Sequence, residues 1–329
     1  LNQEVALKIS TCDLRTETLV LRRLPKDRYV SIFDYVTDEN IKAFGYTMEL
    51  LEEPWMTLDD YQKQCLLPSF RNDSKSIDTV RMVLYIGIDL LTTLDALHGR
   101  KYGRSNRWCH ADIKPVNVYI NQKLAKIALK VEWGNPLPPF TKIGDLGLAC
   151  KAGQNLFAGT KGFMAPEQQE SGPASPATDL FAVGQTIASM VFGRPFDQDE
   201  LRHITRMKTK LSQHIPSAHL VEKISEIIRK MTQSTPPQRG NAHELMRLMR
   251  QVLVSQDDWR ILTMLTSSHM PAQGYTLNEA AEILFDTLAP YRRWRKRNSG
   301  RYDELKTMVN SLYKRQILSR NGYKYSVRV

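Results

Sequence analysis

Cysteine is scarce in this chain. Four residues, Cys12, Cys65, Cys109 and Cys150, are spread over 329 positions, and no two stand in C-x-x-C spacing. That argues against a disulfide-stapled scaffold and offers no zinc-ligand cluster with histidine. The four read as reduced, mostly buried thiols of an intracellular protein, cytoplasmic or nuclear, and Cys109 reads as a packing residue. Long apolar runs free of charge are missing too. The most apolar stretch, Val80–Leu97, is interrupted by Arg81, Asp89 and Asp95, so it predicts a buried helix and no membrane span. No signal peptide or lipidation motif is present. The first residue is Leu1 and not Met, so the natural chain is expected to begin further upstream.

What is present is ordinary for a globular protein: 25% charged and 42% hydrophobic residues over a length that suits two or three domains with a sizeable core. The net charge of +11 predicts an acidic partner, whether nucleic acid, an acidic substrate or a membrane surface. Nucleotide phosphates would use only a few of those charges. The charge is uneven, since residues 255–329 hold 13 Lys and Arg against 7 Asp and Glu.

Two stretches carry the chemistry. His110-Ala111-Asp112-Ile113-Lys114-Pro115-Val116-Asn117 sets an acid, a base and an amide at fixed offsets, and Ile143-Gly144-Asp145-Leu146-Gly147 follows. Together they resemble the catalytic loop and the metal-binding loop of protein kinases of the eukaryotic Ser/Thr type. Phosphoryl transfer from ATP is largely positioning and charge neutralisation. On this resemblance Asp112 would accept or orient the proton of the attacking hydroxyl, and Lys114 would neutralise the phosphate in flight. Asn117 and Asp145 would supply hard oxygens for Mg2+. Gly147 lets the chain turn after the ligand.

Further segments resemble the same family in the same order. Val5-Ala6-Leu7-Lys8 is similar to the strand whose lysine holds the first two phosphates of ATP. Glu17 opens Glu17-x-x-x-Leu21-x-x-Leu24, a spacing that turns both leucines to the inner face of a helix and makes Glu17 the expected partner of Lys8. The two are closer in sequence than their family counterparts, so the helix must start almost at once after the strand. The glycine-rich lid of the family has no place ahead of a strand starting at residue 5, so it is expected upstream. Tyr29–Glu53 predicts two strands. Met48 would guard the back of the adenine pocket, with the backbone of Glu49 and Leu51 meeting the base. Ser76–His98 predicts a long helix. The 27 residues between Asn117 and Asp145 exceed the family's usual length, and the part around Lys126–Thr141 predicts a surface hairpin or loop insertion. Gly159-Thr160-Lys161-Gly162-Phe163-Met164-Ala165-Pro166-Glu167 resembles the end of the activation loop, with Thr160 bonding Asp112 and Lys114 and Glu167 pairing with Arg239. Asp179 would brace the catalytic loop from below. Amphipathic helices are predicted over roughly 197–213, 217–232 and 241–254.

Two departures bear on regulation. The family's arginine before the catalytic aspartate is Ala111, and no Ser, Thr or Tyr lies between Gly147 and Gly159. The phosphate receptor and the phosphosite are thus missing together, which predicts activity without an activation-loop phosphate. After residue 255, Thr276-x-x-Glu279 reads as a capping box, Tyr302–Gln316 as a helix and Asn321-Gly322 as a hairpin turn. This order resembles a winged helix, with Arg292, Arg293, Arg295, Lys296 and Arg297 beside Tyr291 and Trp294. The expected fold class is therefore α+β: a two-lobed protein-kinase-like fold (1–51 small β-rich lobe truncated at its start, 52–255 large helical lobe), then a small winged-helix-like α/β domain, 256–329. The expected function is Ser/Thr protein kinase activity on a protein substrate, using ATP and Mg2+. The alternatives are a nucleotide-binding pseudokinase scaffold and a regulator that binds nucleic acid or protein through 256–329.

Overall fold

The computed structural model describes residues 4–38, 43–71, 76–99, 107–129, 138–215, 217–250, 252–253, 275–276, 318–321 and 324–327. The chain divides into two compact units, Leu1–Arg250 and Gln251–Val329.

The first unit begins with an antiparallel sheet of order β1-β3-β2, formed by β1 (Val5–Ser10), β2 (Ile32–Asp38) and β3 (Ala43–Glu49). Lys8 lies opposite Tyr46 in β3. Helix α1 (Arg15–Leu21) starts five residues after β1 and buries Glu17, Thr18, Val20 and Leu21. It ends at Leu21, so Leu24 is buried just beyond the helix and not on it. A second sheet of order β4-β6-β7 combines β4 (Trp55–Thr57), β6 (Val118–Asn121) and β7 (Thr141–Ile143). A two-stranded ribbon pairs β5 (Trp108–Cys109) with β8 (Cys150–Lys151).

The helices pack around α7 (Pro176–Phe192), which buries a continuous run from Thr178 to Val191. Enclosed on every side, it also buries polar side chains, and these find internal partners: Gln185 donates to the Phe196 carbonyl, Thr186 to the Ala182 carbonyl and Ser189 to the Thr186 carbonyl. Gly193, at φ +77°, terminates it in the left-handed region. The strand-to-helix run α2 (Leu58–Tyr61), a π turn (Gln62–Leu66) and α3 (Leu67–Phe70) leads to α4 (Ser76–Leu97), which packs on α7. The α4 prediction of one buried helix thus holds. Thr57 caps α2 through the Asp60 N–H at 3.1 Å. Short helices α8 (Gln198–Arg202) and α9 (Ile204–Leu211) stand where a single helix over 197–213 was expected. His203, at φ −114° and ψ 90°, breaks the helical geometry between them. Helix α10 (Ala218–Met231) and a helix over 242–250 complete the unit, the former so close to α7 that a Cβ at Gly184 would lie 2.8 Å from the Met231 Cβ.

The expected insertion around 126–141 needs correction at both ends. Residues 126–128 belong to α5 (Gln122–Ala128), whose first turn is capped by the Asn121 carboxamide oxygen, 3.1 Å from the N–H groups of Lys123 and Leu124. Thr141 opens buried strand β7. Residues 130–137 lie outside the described residues.

In the second unit, β9 (Tyr275–Thr276), β10 (Leu318–Asn321) and β11 (Lys324–Val327) form an antiparallel sheet of order β10-β11-β9. The expected hairpin is there, but Asn321, read as a turn residue, ends β10 opposite Lys324 and so belongs to the strand. Thr276, read as a helix cap, sits in β9 opposite Lys324. The helices and the basic run of the expected winged helix lie outside the described residues. Among the described residues no helix is long and apolar enough to cross a membrane.

Candidate active site

The loop from Cys109 to Asn117 is anchored from beneath. Asp179, fully buried at the start of α7, accepts hydrogen bonds from the backbone N–H groups of His110 (2.9 Å) and Ala111 (2.8 Å) and meets His98 Nε2 at 2.8 Å. Burial raises the pKa of this carboxyl, but the bonds and charge from His98 and His110 outweigh it and hold the pKa below the ordinary aspartate value. Ala111 is forced to φ +65°, a conformation L-residues seldom adopt. His110 Nδ1 accepts the Asp112 N–H at 3.3 Å, so Nε2 carries the proton given to the Gly144 carbonyl at 3.0 Å. One imidazole therefore joins the two motif loops.

On this support the side chains of Asp112, Lys114 and Thr160 close a ring. Lys114 Nζ lies 2.7 Å from Asp112 Oδ2 and 2.6 Å from Thr160 Oγ1. Thr160 donates to Asp112 Oδ1 at 2.7 Å. Asn117, in the 3-10 turn Pro115–Asn117, donates its Nδ2 hydrogens to the Asp112 carbonyl (2.9 Å) and to Asp112 Oδ2 (3.2 Å). That orientation leaves its Oδ1 as the atom for another partner.

A second cluster forms beside it. Lys8 Nζ bonds Glu17 Oε1 and Oε2 at 2.9 and 3.0 Å and Asp145 Oδ1 at 2.7 Å. Tyr46 donates to Glu17 Oε1 at 3.0 Å, so the buried carboxylate has two partners. Burial opposes the charge on Lys8, yet its bonds to Asp145 and Glu17 prevail and its pKa lies above the ordinary lysine value. Burial likewise raises Asp145, and the Lys8 ammonium more than offsets it, leaving the carboxyl below its usual range. Asp145 stands at φ +54°, another strained residue at the centre of the site.

The oxygens of Asn117 and Asp145 are of the hard kind that suits Mg2+. Among the described residues no group of three or more His, Cys, Asp or Glu could hold a metal. A single carboxylate and one amide fit an ion whose remaining ligands are phosphate and water oxygens, which is how Mg2+ is commonly held.

The segment expected to meet adenine is placed less tightly. Met48 and Glu49 end β3, and Leu51 follows it. The Glu49 N–H donates to the Ser31 carbonyl at 2.9 Å, so a base contact at this residue falls to its carbonyl. The Glu49 side chain is paired with Lys142, which also lies 5.5 Å from the Trp55 ring centroid.

One contributor, Asp89, was not singled out from the sequence. Asp89 was noted only as a charge within an apolar helix. Its carboxylate accepts from Arg28 (2.8 Å), from the N–H groups of Phe140 (3.0 Å) and Thr141 (2.9 Å) and from the Thr141 hydroxyl (2.9 Å). It thereby pins the start of β7, the strand that leads to Asp145. Glu167 and Arg239, expected as a pair, form a bidentate bridge of 2.6 and 2.7 Å with Arg239 fully buried.

Comparisons with known proteins place the first unit in a family. The protein kinase domain family model matches residues 2–249. The chain is 26% identical over 239 residues to the probable serine/threonine-protein kinase nek2 of Dictyostelium discoideum, covering 71% of this chain and 51% of that protein. It is 26% identical over 153 residues to the serine/threonine-protein kinase PLK1 of Xenopus tropicalis, covering 45% and 23%. Over 203 residues it is 26% identical to the serine/threonine-protein kinase ArnS of Sulfolobus acidocaldarius, covering 56% and 31%. The chain thus spans only about half the length of the first of these relatives, and less of the others. The crystal structure of a double mutant of the Mycobacterium tuberculosis PknI kinase domain matches with a TM-score of 0.51 at 19% identity, covering 75% of this chain and 84% of that one. That likeness is one of fold alone. With a family match running through nearly all of the first unit, this chain belongs to the protein kinase family.

Proposed function

We propose that this chain transfers the γ-phosphoryl group of ATP to a serine or threonine hydroxyl of a protein substrate. The observation that carries the reading is the closed ring of Asp112, Lys114 and Thr160 beside the Lys8–Glu17–Asp145 cluster. Lys8, held by Glu17, neutralises the first two phosphates of ATP. The backbone of Glu49 and Leu51 receives the base, with Met48 behind it. Asn117 and Asp145 would hold Mg2+, which supplies charge neutralisation between phosphates. Asp112 takes the proton of the substrate hydroxyl as its oxygen bonds the γ-phosphorus and the bond from that phosphorus to the ADP oxygen breaks. Lys114 screens the charge of the group in transit, and Thr160 keeps Asp112 and Lys114 aligned. With Ala111 in place of a phosphate-binding arginine, and no hydroxyl residue between Gly147 and Gly159, the activity is independent of an activation-loop phosphate; phosphatase treatment leaves it unchanged.

Incorporation of radiolabelled phosphate from ATP tests the central claim, wild type against Asp112→Ala. A loss of roughly 10³-fold is expected for removal of the acid–base group. Equal incorporation in both proteins would leave a nucleotide-binding scaffold as the better reading. Domain limits of 1–51, 52–255 and 256–329 go with this proposal. The excess of basic residues after 255 supports a winged-helix-like module there that meets nucleic acid or an acidic protein face. A salt-dependent mobility shift of the full chain on duplex DNA, lost on neutralising Arg292, Arg293 and Arg295, is the outcome that favours nucleic acid.

A further inference from the structure

Gln168 is a polar side chain with 1% exposure, set in the short helix α6 (Pro166–Gln169). A buried carboxamide is tolerated only when its hydrogen bonds are made. Here the amide nitrogen donates to the Ala111 carbonyl and to the Ala158 carbonyl, both at 2.8 Å, and the amide oxygen accepts the Ala165 N–H at 3.0 Å. One side chain therefore ties together the catalytic loop, the chain just before Thr160 and the start of α6. Ala111 precedes Asp112, and Ala158 lies two residues before Thr160. The ties hold the backbone one residue before Asp112 and two residues before Thr160, the pair whose 2.7 Å contact closes the ring.

The rest of the segment is held differently. Cys109 pairs with Cys150, Gly153 donates to the Ala174 carbonyl at 2.8 Å, and Leu156 donates to the Gly172 carbonyl at 3.2 Å. These are backbone bonds between Cys150 and Leu156, and Gln168 takes over at Ala158. Gly159 confirms how closely the parts fit. It stands at φ +142°, and a Cβ there would lie 3.2 Å from Gln168 Nε2 and 3.3 Å from the Ala111 carbonyl oxygen.

We infer that Gln168 is a positioning residue, a latch that holds residues 158–160 against the catalytic loop without any phosphate. The inference rests on the kinase reading above and says what takes the place of the arginine–phosphate contact that Ala111 cannot make.

The test uses the full chain with Gln168→Glu, which removes both N–H donors at constant shape, and Gln168→Met, which removes all three bonds. Gln169→Ala, at the exposed neighbour, is the control. Two readouts are taken: trypsin cleavage after Lys161, and kcat and KM for ATP in phosphorylation of a generic Ser/Thr peptide. Both Gln168 variants are expected to be cleaved at least tenfold faster and to lose at least tenfold in kcat, with KM for ATP unchanged and the control like wild type. A merely structural role would lower thermal stability and leave the kcat of the folded protein alone. Wild-type cleavage rates, or kcat within twofold of wild type, would overturn the latch. If neither Gln168 variant folds, Gln168→Asn, which keeps the carboxamide but draws it back by one methylene from the Ala111 and Ala158 carbonyls, must give the same two changes. Should the wild type transfer no phosphate, the kinase reading falls, and the cleavage arm still decides the latch.

Discussion

The sheet that carries Lys8 and the helix that carries Asp179 are built on opposite principles. In β1 no residue is fully buried, and Val5, Leu7 and Ile9 are 42, 59 and 68% exposed. In α7 every residue from Thr178 to Val191 is buried. The strand is held by its backbone ladder to β3 and by the charges at its one functional side chain. The helix is held by close packing on all sides. Stability should therefore be concentrated around α7, while the first sheet contributes chiefly to placing charge.

The sharpest way to break that contrast is at Asp179. Asp179→Ala leaves two buried N–H groups and His98 without their acceptor and should destabilise by about 4 kcal/mol in urea unfolding. The sign of its pH dependence follows from the depressed pKa. The contribution is present above the ordinary aspartate value of 3.8 and lost as pH falls through the lower folded-state value. An Asp179→Asn protein should therefore show a shallower loss of stability between neutral pH and that acid limit. Next in size is Lys8→Met, expected to lower kcat/KM about 100-fold, near 2.7 kcal/mol of transition-state stabilisation, with a loss of about 2 kcal/mol in unfolding free energy because buried Glu17 keeps only Tyr46 as a partner. If stability fell as far as for Asp179→Ala, the division between the two regions would be wrong. Gly184→Ala places a methyl group 2.8 Å from the Met231 Cβ and 2.9 Å from the Thr232 Cγ2. It should cost about 2 kcal/mol by overpacking α7 against α10. The smallest effect belongs to Leu7→Thr, on the exposed face of β1, at within about 0.5 kcal/mol. A larger loss there would show that this face is covered.

What could be read in advance followed the range of each interaction. Asp112, Lys114 and Asn117 lie within six positions, so one loop conformation sets all three, and their convergence was legible from spacing. Lys8 with Glu17 was legible through the kinase resemblance, on the condition that the helix start almost at once after the strand, and α1 does start five residues after β1. The direct contact of Lys8 with Asp145 spans 137 positions and had no sign in the sequence beyond the shared kinase pattern that puts both near the phosphates. Asp89 gave no local sign of its task, since the backbone groups it satisfies, those of Phe140 and Thr141, lie some fifty positions away. Gln168 was invisible for the same reason. At α5 the local signal is present, because Asn121 before Gln122 is a helix-start residue whose carboxamide caps the first turn.

By itself the chain's order of residues determined the inventory of this site: one carboxylate, one amine and one amide in a short loop, a second acid after a strand, and a segment without hydroxyls between Gly147 and Gly159. Those are properties of neighbours along the backbone. Tertiary structure alone decided which other distant groups satisfy them, with Asp89 behind β7 and Gln168 across three backbone segments, whereas Asp179 under the loop was already implied by the family resemblance. Burial is the reason: a polar group removed from water must take whatever partner the packing brings within about 3 Å, and packing is a property of the whole fold.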